Sequence, residues 1–208
     1  MAALTGRVVQ ERIVVVSGLP RSGTSLMMQI LEGAGVPILQ DGARAPDASN
    51  PHGYFEHSAV RRSAHDVGWL DQAPGHAVKV IHALLEHLPR DRTYALILMR
   101  RPIEEVVASQ DRMLARLGRE AGPLPAARVA AVLAAQLAAA IDLLGREPCF
   151  SWRAVDFHAL IADPEATIGA VTRFLGLDAR AADLAPLVDP GLHRERSELH
   201  GASADRAR

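Results

Sequence analysis

Gly18 and Gly23 bracket four residues, Leu19-Pro20-Arg21-Ser22, and Thr24-Ser25 follow at once. This is the G-x-x-x-x-G spacing of a loop that cradles phosphate. The first glycine lets the chain turn sharply, and the second lets backbone come close to a bound group. The amides of residues 22–25 would stand at a helix N-terminus, without intrahelical partners and at the positive end of the helix dipole, which suits an anion. A nucleotide triphosphatase has Lys-Ser/Thr after the second glycine. Here Thr24-Ser25 takes that place, and the cation lies inside the loop at Arg21. On these residues alone, the other reading is a strand–turn–helix that simply needs two glycines.

A second basic cluster is Arg100-Arg101-Pro102, with Ser109 eight positions after Arg101. On residue type alone it could equally be a capped helix start with two solvated arginines and a surface serine. Three further groups could move protons or hold charge. Glu56 lies in Asn50-Pro-His-Gly-Tyr-Phe-Glu56, with His57 and Asp41 close by in sequence. Lys79 is the only lysine among 23 basic residues, and His82 follows three positions later. If the strand continued past Lys79, Lys79 and His82 would point to opposite faces. Glu56 also reads as a solvated carboxylate at a helix start.

The elements that must position these groups are legible from hydrophobic pattern. Ile13-Val14-Val15-Val16 is continuous rather than alternating, as in a strand buried on both faces. Met27, Ile30, Leu31 and Ala34 fall at helical spacing, with Gly33 and Gly35 as the stop. A helix of two or three turns is expected around Val60, Val67, Trp69 and Leu70. Ala77–Ile81 and Thr93–Met99 read as strands. Pro102 suits the first position of a helix whose apolar face is Ile103, Val106, Val107, Met113, Leu114 and Leu117, with Glu104 and Glu105 complementing its dipole. Gly122-Pro-Leu-Pro125 breaks the chain before an alanine-rich helix over 126–144, read as buried or docking. Phe150–Val155 is a further strand, and Asp163-Pro164 opens a helix that Gly176 stops.

Strands alternating with helices, and a phosphate loop after the first strand, give the fold class: an α/β, P-loop-containing three-layer fold with a central parallel sheet flanked by helices. Ligands in such folds sit at the carboxyl ends of the strands. That rule places Arg21, Lys79 and Arg101 on one edge. The expected organisation is a single domain over 1–188 and a polar, Arg-rich tail over 189–208.

The Pro20-Arg21-Ser22-Gly23-Thr24-Ser25 string resembles the 5′-phosphosulfate loop of sulfotransferases that use 3′-phosphoadenosine 5′-phosphosulfate (PAPS), and the wider stretch resembles a bacterial branch of that family. The Arg101…Ser109 step resembles the family's 3′-phosphate signature, an arginine ending a strand and a serine eight positions on. Asn50–Glu56 resembles the substrate-side segment of bacterial members, and Lys79…His82 resembles the Lys-x-His stretch of cytosolic members, one place out of step. Residues 156–176 resemble the C-terminal signature, with Phe157 and His158 in structural positions. The resemblance implies that Pro20, Arg21, Ser22, Gly23, Thr24, Ser25, Arg101 and Ser109 bind the cofactor. It implies catalytic roles for Arg21 and for a general base. Glu56 ranks before His82 as that base, with His57 and Asp41 behind. PAPS is the implied cofactor, with no metal. Arg194 and Arg196 are candidates for a basic segment closing over it. The implied reaction moves a sulfuryl group to a hydroxyl or amine of a small molecule, glycan or lipid.

Composition sets the remaining bounds. The 208 residues are enough to bury a sizeable core. A net charge of −1 gives no global basic field, so nucleic acid is not an expected partner. Cys149 is the sole cysteine, so no intrachain disulfide forms. The N-terminus lacks the apolar run of a signal peptide, and the alanine-rich stretch over 129–144 is interrupted by Gln136 and Asp142, so a cytoplasmic location and no membrane span are expected. Nine histidines carry no metal-binding spacing. The competing readings are a P-loop nucleotide or small-molecule kinase, which Asp156 after the last strand would serve, and a non-catalytic nucleotide-binding protein of the same fold. The sequence does not specify the oligomeric state.

Overall fold

The computed structural model describes residues 12–189 apart from 44, 46, 48, 49, 51, 52, 120 and 121. Four parallel strands form one sheet in the order β2-β1-β3-β4: β1 Ile13–Gly18, β2 Ala77–Lys79, β3 Tyr94–Arg100 and β4 Phe150–Asp156. In register, Gly18 at the end of β1 lies opposite Met99 on β3, and Arg100 lies opposite Asp156 on β4. The helices are α1 Thr24–Gly33, α2 Ile103–Arg116, α3 Ala126–Arg146, α4 Phe157–Ala162, α5 Pro164–Leu175 and α6 Ala181–Leu184. The α/β three-layer expectation holds.

The continuous apolar strands have a direct cause. Side chains alternate between two faces, and both faces are covered. Val14 and Val16 of β1, with Ala95, Ile97 and Met99 of β3, join α1, α4, α5 and α6 in one core. Ile13 and Val15, with Tyr94, Leu96 and Leu98, join a second core built from α3 and the residues around Trp69 and Leu85. Helix α1 ends on Gly35 at φ 81, where the Val36 amide returns to the Leu31 carbonyl at 3.0 Å. That left-handed turn is one glycine adopts without strain.

Three local expectations change. The segment 58–72 forms two short 3₁₀ turns, Ser58–Arg62 and Gly68–Gln72, rather than one helix. The Ser63 hydroxyl bonds back to the Val60 carbonyl and receives the Trp69 indole, while the Asp66 carboxylate takes the Gly68 amide. Such local side-chain bonds compete with a continuous helix. Pro102 caps α2 from outside, and the helix starts at Ile103. Val106 and Val107 are buried, but Leu117 at the far end is exposed.

Helix α3 runs 21 residues, longer than the 126–144 read from sequence, and by length and composition alone it is long and apolar enough to cross a bilayer. In the fold it packs one-sidedly: Ala140 and Leu144 are buried with Leu137 and Ile141 against them, while Ala131, Val132, Ala135 and Ala139 face outward. The proposed tail begins at residue 189. Its residues from 190 on, Arg194 and Arg196 among them, lie outside the described residues.

Candidate active site

The phosphate loop leaves β1 at Gly18 with φ 150 and enters α1 at Gly23 with φ 97. Space, as well as conformation, requires glycine at both. A Cβ on Gly18 would stand 2.7 Å from the Met99 carbonyl oxygen, and one on Gly23 2.5 Å from the Phe157 ring. Ser22 is buried and turns inward, its hydroxyl donating to the Leu19 carbonyl at 2.7 Å. Arg21 takes the left-handed conformation, φ 68, which costs a non-glycine residue of order 1 kcal/mol or more. That backbone turn sends its side chain to the second basic cluster: Arg21 Nε donates to Ser109 Oγ at 3.2 Å.

Arg101 is fixed from several sides. Its Nε donates to Glu105 Oε2 at 2.9 Å, Nη1 donates to the Arg21 carbonyl at 3.3 Å, and the guanidinium lies 4.7 Å from the centre of the Phe157 ring. Glu105 is buried and also meets His158 Nε2 at 3.0 Å. A buried carboxylate needs such partners, because desolvation otherwise disfavours its charged form. Arg100 points outward. Phe157 and His158, at the start of α4, thus hold the loop glycine and the arginine–glutamate pair in place. The β4-terminal Asp156 accepts the Ala159 amide at 2.9 Å and caps α4.

Lys79, at the end of β2, brings an ammonium to the far side of the loop. Its Nζ donates to Ser25 Oγ at 2.9 Å and to the Tyr54 carbonyl at 2.7 Å. Asn50 Nδ2 donates to the same Ser25 Oγ at 2.9 Å. Asn50 sits in a clip made by Asp47, whose carboxylate takes the Asn50 amide at 3.1 Å and the Tyr54 hydroxyl at 2.8 Å.

The two candidate bases differ. Glu56 is part-exposed and paired with exposed Arg61 at 2.9 Å, and its carbonyl takes the Asp41 amide at 3.3 Å. Asp41 is held well below the usual carboxylate range by hydrogen bonds from Ser58 and the Ala43 amide. That makes it a poor base at neutral pH. His82 does not continue β2, which ends at Lys79, so the expected strand parity does not apply; it opens a 3₁₀ turn, His82–His87. There it is buried, with Nδ1 3.3 Å from the Gly18 carbonyl and Nε2 3.1 Å from the Gln136 amide on α3. The Gly18 carbonyl can only accept, so Nδ1 carries the proton; Nε2 of the neutral ring is then an acceptor, which turns the Gln136 amide to present its NH₂ rather than its oxygen.

The structure therefore brings Arg21, Arg101 and Ser109 together, and Ser25 with Lys79. Asn50, Glu105 and Gln136 carry no site role in the sequence reading. The Arg101–Glu105 i,i+4 spacing was the available signal for one of them. Among the described residues, no group of three or more His, Cys, Asp or Glu side chains stands together as a metal site.

By sequence the chain matches no family model and no curated protein. By structure it resembles the sulfotransferase domain from the curacin biosynthetic pathway, at 16% identity over 83% of this chain and 76% of that one, with a TM-score of 0.51. It resembles a sulfotransferase from Mycobacterium tuberculosis at 17% identity over 90% and 75%, with a TM-score of 0.54. A mouse sulfotransferase complexed with PAP matches at 12% identity over 94% and 73%, with a TM-score of 0.52. The fold is the sulfotransferase fold. At such identities the likeness is carried by the chain path: in this sulfotransferase fold the loop after β1 and the end of β3 meet at one sheet edge, through Arg21 and Arg101.

Proposed function

We propose that the chain is a sulfotransferase that takes its sulfuryl group from PAPS and passes it to a hydroxyl or amine of a small-molecule, glycan or lipid acceptor. The observation that carries this reading is the contact between Arg21 and Ser109 at 3.2 Å, which joins the phosphate loop to the second basic cluster. A ligand with phosphates at both ends of one nucleoside fits such a double site. A triphosphate chain would want a lysine directly after Gly23, where Thr24 stands.

The residues present fit the cofactor. A Cβ on Gly18 would run into Met99 and one on Gly23 into Phe157, so only glycine at both positions keeps the tight path that leaves the amides over 22–25 at the helix N-terminus. When bound, PAPS supplies the activated sulfuryl group and carries a separate 3′-phosphate. The amides over 22–25, Arg21, Lys79 and Ser25 would hold the 5′ side, and Arg101 and Ser109 the 3′-phosphate. Because these donors are already braced against one another, they need little reorganisation as charge builds on a leaving oxygen. Glu56 is the proposed general base for the acceptor; it follows Tyr54, whose carbonyl accepts from Lys79, by two residues.

The test is thermal shift and calorimetry with adenosine 3′,5′-bisphosphate and with ATP, each with and without Mg²⁺. Metal-independent binding of the bisphosphate is expected. Binding of ATP alone, and only with Mg²⁺, would point to a kinase instead.

A further inference from the structure

A serine hydroxyl has two lone pairs and one proton. At Ser25 two donors address the oxygen, Lys79 Nζ and Asn50 Nδ2, each at 2.9 Å. The ammonium has no lone pair and can only donate. The Asn50 contact is equally one-directional: the same nitrogen also meets the Gly53 carbonyl, which can only accept, and that fixes which end of the amide is NH₂. Both lone pairs of Ser25 are then occupied. Its proton must leave in the remaining direction, and among the described residues no protein acceptor takes it. Ser25 stands in the first turn of α1, beside the amides of the phosphate loop.

We propose that Asn50 is a positioning residue that, with Lys79, fixes the Ser25 hydroxyl as a pure donor toward an anionic oxygen held by the phosphate loop. Asn50 is itself preset. Asp47 takes its backbone amide and the Tyr54 hydroxyl, and the Tyr54 carbonyl in turn accepts from Lys79. The inference rests on the sulfotransferase reading for the identity of the ligand, and concerns the 5′ end of that ligand alone.

The experiment is a double-mutant cycle of Asn50→Ala and Ser25→Ala, read by calorimetry with adenosine 3′,5′-bisphosphate and with adenosine 3′-phosphate, which lacks the 5′ group. Asn50→Ala is expected to weaken the bisphosphate about fivefold to tenfold, as for a weakened hydrogen bond to a charged group. It should leave adenosine 3′-phosphate unchanged and add nothing in the Ser25→Ala background. A general loosening of the fold by Asn50→Ala would instead weaken both ligands alike, and that result overturns the proposal. So does a loss that persists in full without Ser25. If the wild-type protein binds neither ligand, the sulfotransferase reading itself fails and the inference goes with it. If the wild type binds the bisphosphate and Asn50→Ala binds it equally well, only the inference fails.

Discussion

Arg101 and Arg21 hold each other across 80 residues of chain: Arg101 Nη1 donates to the Arg21 carbonyl at 3.3 Å. The Arg21 side chain goes the other way, to Ser109 on the helix that follows Arg101. The phosphate loop and the strand-end arginine are therefore one unit, and a change at either is felt at both.

Arg101→Ala should act twice. Losing a charged hydrogen bond to a phosphate weakens adenosine 3′,5′-bisphosphate by roughly tenfold or more. It also strips a partner from Glu105, which is only 3% exposed, and breaking a buried pair costs about 3–5 kcal/mol. His158 keeps its contact with Glu105, so the lower end of that range is expected. Urea melting without ligand reads the second effect, and calorimetry reads the first. Unchanged affinity in a folded variant would remove Arg101 from the site.

Gly23→Ala should damage the loop more than an alanine within α1. The residue sits at φ 97, and its Cβ would meet the Phe157 ring at 2.5 Å. The strain alone is worth about 1–3 kcal/mol. Relief requires Phe157 to shift, and Phe157 supports Arg101. A lower melting temperature together with weaker bisphosphate binding is expected. Trimming the ring in Gly23→Ala/Phe157→Leu should recover part of the stability but not the strain.

The sheet was readable from sequence because burial on both faces writes itself as unbroken apolar runs in β1 and β3. The loop was readable because two glycines are needed where backbone must turn and approach. What escaped was set by partners distant in sequence. Glu105 looks like a dipole-favouring residue of a first turn, and only the fold shows Arg101 and His158 closing on it. Asp156 looks like a free carboxylate at a strand end, but it caps the next helix. No local pattern says that Arg21 will take a left-handed turn toward Ser109, or that Asn50 and Lys79 will share one hydroxyl. The 58–72 segment failed for the opposite reason: local hydrogen bonds by Ser63 and Asp66 outweigh a helical apolar pattern.

Tyr94 gives a prediction for alkaline pH. Burial in the second core pushes its phenol up to about 12, and its hydroxyl donates to the Pro89 carbonyl at 3.0 Å. An unfolded tyrosine ionises near ~10. Between those values the unfolded chain gains stability by losing the proton while the folded chain does not. Folding stability is thus intact below the unfolded value and falls as pH rises toward 12. Tyr94→Phe should cost about 1 kcal/mol at neutral pH through the lost hydrogen bond, yet flatten the decline above pH 10. Parallel slopes for the two proteins in alkaline urea titrations would contradict this.

The last prediction separates the two candidate bases. His82 is buried, its Nδ1 proton is committed to the Gly18 carbonyl, and its Nε2 faces the Gln136 amide. To accept a proton from an acceptor it would first have to lose Gln136, which is exposed on α3 and able to swing away. Glu56 is part-exposed, and its pair with exposed Arg61 is weak in water. Glu56→Gln keeps size and hydrogen bonding but cannot take a proton, so transfer from labelled PAPS to an acceptor should fall about a hundredfold or more with bisphosphate affinity unchanged. His82→Asn should chiefly lower stability, because it unties Gly18 from α3. Gln136→Ala then decides the matter: if His82 is the base, freeing its Nε2 changes the pH profile of turnover, and if Glu56 is the base the profile stays as in the wild type. A Glu56→Gln protein with normal turnover, beside a Gln136→Ala protein with a shifted profile, would reverse the assignment.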